Sequence, residues 1–167
     1  MLTKFQAEAE GVGAQVKRFS SVCDAIPYLE QLSGQGIVVS SQLPPAAREA
    51  FGENFFSSAE AAPNAELCIS YARAGIAATG SVLLDLSAAG DRSCTSLARK
   101  HAVFLPASTI VADLYALHGL IDQMLTVNGT ARLSITTGPS RTADIERVLT
   151  IGVHGPKELH LLILEGD

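Results

Sequence analysis

The sequence predicts an α/β fold, a sandwich of helices about a largely parallel sheet. Three observations lead there. Short apolar, β-rich runs alternate with segments of helical period, the pattern of strands joined by crossover helices. The last run, "ELHLLILEG" (158–166), is almost continuously apolar, as expected of a strand covered on both faces. The chain has 167 residues, 47% of them hydrophobic, which is material for one substantial core. No internal repeat or low-complexity linker divides it, and "SSAEAAPNAE" (57–66) is the nearest thing to a flexible connection. Residues 1–167 are therefore read as a single domain.

The elements follow in order. "AQVKRF" (14–19) predicts an edge strand and "VCDAIPYLEQL" (22–32) a helix, with Pro27 placed in its first turn, where proline is tolerated. "GIVVS" (36–40) is a compact buried strand, and "PPAAREAF" (44–51) opens a helix on proline. "ELCISY" (66–71) and "GSVLLDLS" (80–87) are strands with "ARAGIAAT" between them, and "AVFLPAS" (102–108) is another. Ile110, Leu114, Leu117, Ile121 and Met124 step by four and three, so a helix is predicted over 110–125 with that face on the sheet. "ARLSITT" (131–137) predicts a strand and "RTADIERVLT" (141–150) a short helix before the final strand. The sheet is expected to contain 36–40, 81–86, 102–105, 131–136 and 158–164.

Composition excludes several functions. A net charge of −5 disfavours binding to a phosphate backbone, which needs clustered Lys and Arg, so no nucleic-acid partner is expected. Cys23, Cys68 and Cys94 are scattered and form no metal-ligand or iron–sulfur spacing. No pair of His101, His118, His154 and His160 has metal spacing either, so no metal and no cofactor are expected. His118 and Asp122, four apart, predict a surface pair. The N-terminus carries charges where a signal peptide needs an apolar stretch, and no apolar run approaches the ~20 residues that span a bilayer. The expectation is a soluble, cytoplasmic protein with free thiols and no membrane contact.

Two stretches concentrate the chemistry. "TGPSRTADIERVLTIGVHGPKELH" (137–160) follows a strand, and ligands in open parallel sheets sit beyond strand carboxyl ends. Gly138, Pro139, Ser140, Arg141 and Thr142 would lie there, feeding a helix N-terminus suited to an anion. Arg141 offers a two-pronged donor set to a carboxylate or phosphate. The same residues equally fit plain capping, with Asp144 and Glu146 complementing the helix dipole. His154, between Gly152 and Gly155, suits an acid, base or donor role at neutral pH, or a tie between two loops. The second stretch is "ARAGIAATGSVLLDLSAAGDR" (72–92), where Gly75 and Gly80 mark a close backbone approach and Arg92 sits in a loop. Ser140, Arg141, Thr142 and His154, approached by Thr79 and Arg92, are the candidate ligand site, at the carboxyl edge of the sheet.

Together, "GIAATGSVLLDL", "GDR" and "ITTGPSRTADIERVLTIGVHGPKELHLLIL" resemble the LUD domain, the family of lactate-utilisation protein C, with a looser likeness upstream through "GVGAQVKRF" and "GIVVS". The resemblance implies a three-layer α/β/α sandwich similar to the sugar-phosphate isomerase and CoA-transferase group. It also implies a part in oxidation of L-lactate to pyruvate alongside two iron–sulfur partner proteins, with no assigned reaction or catalytic residue to carry over. Departures are Ala78 before Thr79-Gly80, where the family usually has Glu, and Thr109 before Ile110, where it commonly has His. The N-terminal helix that members usually add is not expected in this shorter chain.

Three functions follow from these readings. The first is a non-redox subunit of a lactate-oxidising complex that binds a small carboxylate or phosphate. The alternatives are a stand-alone enzyme on a small anionic substrate (a sugar phosphate or thioester), and an organic-acid-binding regulatory module. Flanking genes for iron–sulfur proteins separate the subunit from the enzyme.

Overall fold

The computed structural model describes residues 1–57, 59–88, 90–128, 131–143, 149–151 and 155–166. The elements are α1 (Leu2–Gly11), β1 (Gln15–Phe19), α2 (Val22–Ser33), β2 (Ile37–Val39), α3 (Pro45–Arg48), β3 (Phe55–Phe56), β4 (Ala65–Ile76) and β5 (Ser81–Asp85). They continue with α4 (Asp91–Leu97), β6 (Lys100–Pro106), β7 (Ile110–Val111), α5 (His118–Asn128), β8 (Leu133–Thr136), β9 (Arg141–Ala143), β10 (Leu149–Ile151) and β11 (Glu158–Leu164).

Among the described residues the main sheet has nine strands. Six of them form a parallel row in the order β1-β11-β6-β4-β2-β3. β4 outruns this row. From Ala72 onward, with a register shift between Ala72 and Ala74, it pairs antiparallel with β5 and, at Gly75–Ile76, parallel with β7. β5 in turn holds β8 antiparallel. All five runs expected in the sheet are there, with 81–86 and 131–136 in this antiparallel extension.

Both faces of the parallel row are covered, which is why β11 reads as an almost continuous apolar run. Val103, Leu105, Leu159, Leu161 and Ile163 meet Phe5 and Ala9 of α1 and Val82 and Leu84 of β5. The alternate residues, Ala102, Phe104, Leu162 and Leu164, meet Ala25 and Leu29 of α2 and Ala47 of α3. α2 starts as its sequence suggests, with Ser21 Oγ accepting the Asp24 N–H. Pro27 lies deeper in it than its first turn.

Three expectations are corrected. The predicted helix over 110–125 begins only at His118. Ile110 and Val111, β-branched, extend the sheet beside β4, and Asp113 Oδ1 accepts the Ala116 N–H at 3.1 Å to start a separate turn at Tyr115–Leu117. Leu117 and Met124 are buried, but Leu114 is 52% exposed. The predicted helix over 141–150 gives way to β9 and β10, paired antiparallel with Thr142 opposite Thr150. Thr142, Thr150 and Ile151 are β-branched, and such residues favour the extended backbone over the helix. Residues 144–148 lie outside the described residues. Finally, the chain does open with a helix, α1, whose Phe5 and Ala9 are fully buried.

His118 and Asp122 form the expected exposed pair, 3.4 Å apart. No helix among the described residues is long and apolar enough to cross a membrane.

Candidate functional site

The two chemistry-bearing stretches meet. At the turn from β4 to β5, Thr79 Oγ1 and Ser81 Oγ share a hydrogen bond of 2.7 Å. Ser81 Oγ shares another, of 2.6 Å, with Thr137 Oγ1 just past β8. Three hydroxyls in a chain spend two donors on each other, so one O–H of the three remains. Beside them opens an apolar cleft of about 430 Å³, walled by Ile76, Leu114, Tyr115 and Ile135, with Ala78 and Asp113 on its lining. Ala78, the residue before Thr79-Gly80, lines this cleft.

α1 closes the other side of this junction. Gly80 has φ +64°, and a Cβ on it would lie 2.1 Å from Ala9 N. Gly138, φ +67°, would likewise drive a Cβ to 2.6 Å from the Val12 carbonyl oxygen. That same carbonyl, an orphan acceptor at the helix end, takes a hydrogen bond of 2.6 Å from an Arg141 Nη. Arg141 is exposed, and the Val12 carbonyl is the acceptor of its side chain among the described residues. The Ser140 N–H donates to the Pro156 carbonyl at 3.0 Å, and a Cβ on Gly155 would come within 3.0 Å of the Ser140 side chain.

These contacts correct the expected position of the site. Residues 137–141 do follow the carboxyl end of β8, but β8 belongs to the extension, not to the parallel row. Its end is delivered to Val12 and Gly13, just before β1, and to Pro156, just before β11. Ser140 and Arg141 therefore stand at the amino ends of the parallel strands. Thr79 belongs to the junction through Ser81 and Thr137. Arg92 is exposed in the first turn of α4, with no side-chain hydrogen bond or ion pair among the described residues. Thr142 is placed only by its backbone, in β9, and His154 lies outside the described residues.

Sequence reasoning missed two buried polar groups. Ser70 Oγ and His101 Nε2 share a hydrogen bond of 2.6 Å, with both residues buried. Burial, and then the neighbouring His160, push the His101 imidazole down to about 4. His160 is likewise lowered by burial, though Glu158 on its Nε2 opposes this, and its Nδ1 meets Tyr28 Oη at 2.9 Å. Asp91, read as part of a loop, is the first residue of α4 and only 6% exposed. Its Oδ1 accepts a hydrogen bond of 2.5 Å from Ser41 Oγ. Cys68 and Cys94 lie close by, and burial raises both thiols, Cys68 well above its ordinary value. Burial thus favours the neutral thiol at both positions. Among the described residues no group of three His, Cys, Asp or Glu is placed to hold a metal ion.

A mostly parallel sheet flanked by helices, with an antiparallel extension bringing two Gly-rich stretches against an N-terminal helix, defines the class. The sequence profile of the LUD domain matches residues 42–164, and the chain belongs to that family. It is 30% identical over 106 residues to "Lactate utilization protein C" of Bacillus licheniformis, covering 62% of this chain and 44% of that protein. The protein of the same name from Shouchella clausii is 33% identical over 112 residues, 65% of this chain and 48% of that one. The chain thus spans about half the length of these two relatives. "Uncharacterized protein YkgG" of Escherichia coli is 27% identical over 180 residues, 99% of this chain and 74% of that protein. In fold, a crystal structure of a DUF162 family protein from Deinococcus radiodurans aligns with a TM-score of 0.69 at 18% identity, covering 98% of this chain and 95% of that chain.

Proposed function

We propose that this chain serves lactate utilisation as a non-redox subunit working beside iron–sulfur partner proteins, and that it holds a small carboxylate or phosphate at Arg141. The observation that carries the reading is the junction itself. The stretches that resemble the family, distant in sequence, are joined by the Thr79–Ser81–Thr137 hydroxyls, and Arg141 is tied to Val12 at the end of α1, the helix on which Gly80 packs. One nitrogen of Arg141 is spent on the Val12 carbonyl, which orients the fork and leaves its other donors for a ligand. Ala78 removes the negative charge that Glu would bring to the same junction. The names of the curated relatives support the lactate context. Buried Cys68 and Cys94, where the neutral thiol is favoured, support a chain through which electrons do not pass.

Affinity capture of the full chain from its native cell, read by mass spectrometry, tests the assembly. Two iron–sulfur proteins should be recovered in stoichiometric amounts. The chain purified alone and without oxygen should show no visible flavin or iron–sulfur absorbance. Recovery without such partners, or a stoichiometric chromophore on this chain alone, would overturn the subunit reading.

Arg141→Ala tests the anion. Losing a charge-assisted hydrogen bond worth ~1.5–3 kcal/mol should weaken L-lactate or phosphate about ten- to a hundredfold in calorimetric titration. The exposed contact to Val12 should change folding stability by no more than ~1 kcal/mol. A variant that loses stability while its titration is unchanged would make Arg141 purely a helix-end clasp.

A further inference from the structure

The carboxyl edge of the parallel row, far from Arg141, carries a cleft of its own. β2 and β4 are neighbours there, and the chain leaves them in opposite directions. From β2 it moves outward to β3 through α3, which packs on the same face of the sheet as α2. From β4 it turns back towards β6 through β5 and α4, on the opposite face. Neighbouring strands that part in this way leave a crevice beyond their carboxyl ends, the general ligand position of open α/β sheets.

The crevice here has a volume of about 530 Å³, within the ~300–1,000 Å³ of small-molecule sites. It is lined by Val22 at the start of α2, by Gln42 and Pro44 after β2, and by Tyr71, Ala72 and Arg73 where β4 leaves the parallel row. Val22, Pro44 and Tyr71 supply apolar wall, and the Tyr71 ring lies on Phe104 with centroids 5.0 Å apart.

The polar groups on the lining are donors. Gln42 Oε1 accepts the Tyr71 N–H at 2.7 Å, which settles how the amide is turned. Its oxygen is spent on the backbone, and its NH2 has no acceptor among the described residues. Arg73 gives one Nη to Asp85 Oδ2 at 3.2 Å, while Asp85 Oδ1 takes the Ser87 N–H. Asp85 does not line the crevice, so among the described residues Arg73 is the one charged group on its lining. The Gln42 amide meets β4 at Tyr71, and Arg73 is two residues on, roughly 7 Å along the strand. Both donors are within reach of one ligand.

We propose that this crevice is a second binding site, separate from Arg141, for an organic anion with an apolar body. The carboxylate or phosphate lies on Arg73 and the Gln42 NH2, and the body lies against Val22, Pro44 and Tyr71. L-Lactate or inorganic phosphate would use the donors and leave the apolar wall bare.

Phenyl phosphate, an anion on a planar apolar ring, is the probe, added to the full chain labelled with nitrogen-15. The side-chain NH2 of Gln42 and the Nε–H of Arg73 report on the crevice in proton–nitrogen spectra, and the Nε–H of Arg141 reports on the other site. Both crevice signals should move saturably with one midpoint. Benzyl alcohol, which lacks the charge, and inorganic phosphate, which lacks the ring, should each need at least about tenfold more to move them. This comparison requires no variant. The Arg73 side chain is 58% exposed, so its substitution reads binding and not folding. Arg73→Met should raise the midpoint at Gln42 about tenfold, and Arg141→Ala should leave it where it was. Still signals at Gln42 and Arg73, an unchanged midpoint in Arg73→Met, or equal response to either of the simpler probes overturns the proposal. Movement at Arg141 alone overturns it too, while leaving the anion reading of Arg141 standing.

Discussion

Gly80→Ala is expected to remove about 3–5 kcal/mol of folding stability. Two separate costs add at this position. With φ at +64° the backbone sits in the left-handed region, where a Cβ costs about 1–2 kcal/mol. The same Cβ would lie 2.1 Å from Ala9 N and 2.4 Å from Ala9 Cα, backbone atoms that no side-chain rotation can move aside. Relief requires α1 to lift away, and α1 carries Phe5 and Ala9, both fully buried against Val103, Leu105 and Leu161. Urea denaturation measures the loss. Phe5→Ala alone should cost ~3–5 kcal/mol, and the double variant far less than the sum, since both act by undocking one helix. Gly119→Ala is the control: a Cβ there meets nothing within 4 Å, and the change should be neutral or stabilising by up to ~1 kcal/mol. A Gly80→Ala cost below ~1 kcal/mol would show that α1 does not pack so closely on the turn. Because Val12, at the end of the same helix, holds Arg141, Gly80→Ala should also weaken anion binding at a distance.

The elements that were legible in the sequence are those whose pattern reports burial directly. β11 is apolar from Leu161 to Leu164 without a break because both its faces are covered, and no knowledge of its neighbours is needed to read it. The misread segments are those in which a short-range contact overrides spacing. Ile110, Leu114 and Leu117 have helical spacing, yet Thr109 Oγ1 donates to the Pro106 carbonyl at 2.8 Å and Asp113 starts its own turn, so the chain between them does not wind. Leu114 then faces the cleft, not the core. The same limit applies to the site. Gly75 and Gly80 signalled a close approach, made at Gly80 by the α1 backbone and at Gly75 by Leu105, Phe5 and Ile110, but nothing local says that residue 81 will face residue 137. That pairing comes from the registers of β4 on β5 and β5 on β8. Asp91 was hidden for a related reason: Gly90-Asp91-Arg92 reads as solvated, and only the docking of α4 buries the carboxylate while leaving Arg92 outside.

Stability should fall by roughly 3 kcal/mol as pH drops from about 7 to about 4, with His101 a principal cause. In the folded chain its imidazole titrates near 4, chiefly because burial penalises the charged form and secondarily because His160 is close. Unfolded, it titrates near the ordinary value of 6.5. Between those values the unfolded chain binds more protons than the native one, so acid favours unfolding, and the loss is complete once both forms are protonated. His160 is shifted in the same direction and adds to it. His101→Gln keeps a polar partner for Ser70 but cannot titrate. It should be less stable than the parent at neutral pH by up to ~2 kcal/mol and should overtake it near pH 4. The difference between the two urea midpoints, followed over this range, isolates His101 from carboxylates common to both. A pH-independent difference would mean that His101 titrates as it does in water. The sign also bears on chemistry. Ser70 and His101 have the spacing of a nucleophile and its base, at 2.6 Å, but they are 5% and 2% exposed. The pocket that Ser70 lines has room for little more than a water. Buried in this way, Ser70 and His101 form a structural hydrogen-bonded pair inside the sheet, apart from the exposed Arg141 at which the anion is proposed to bind.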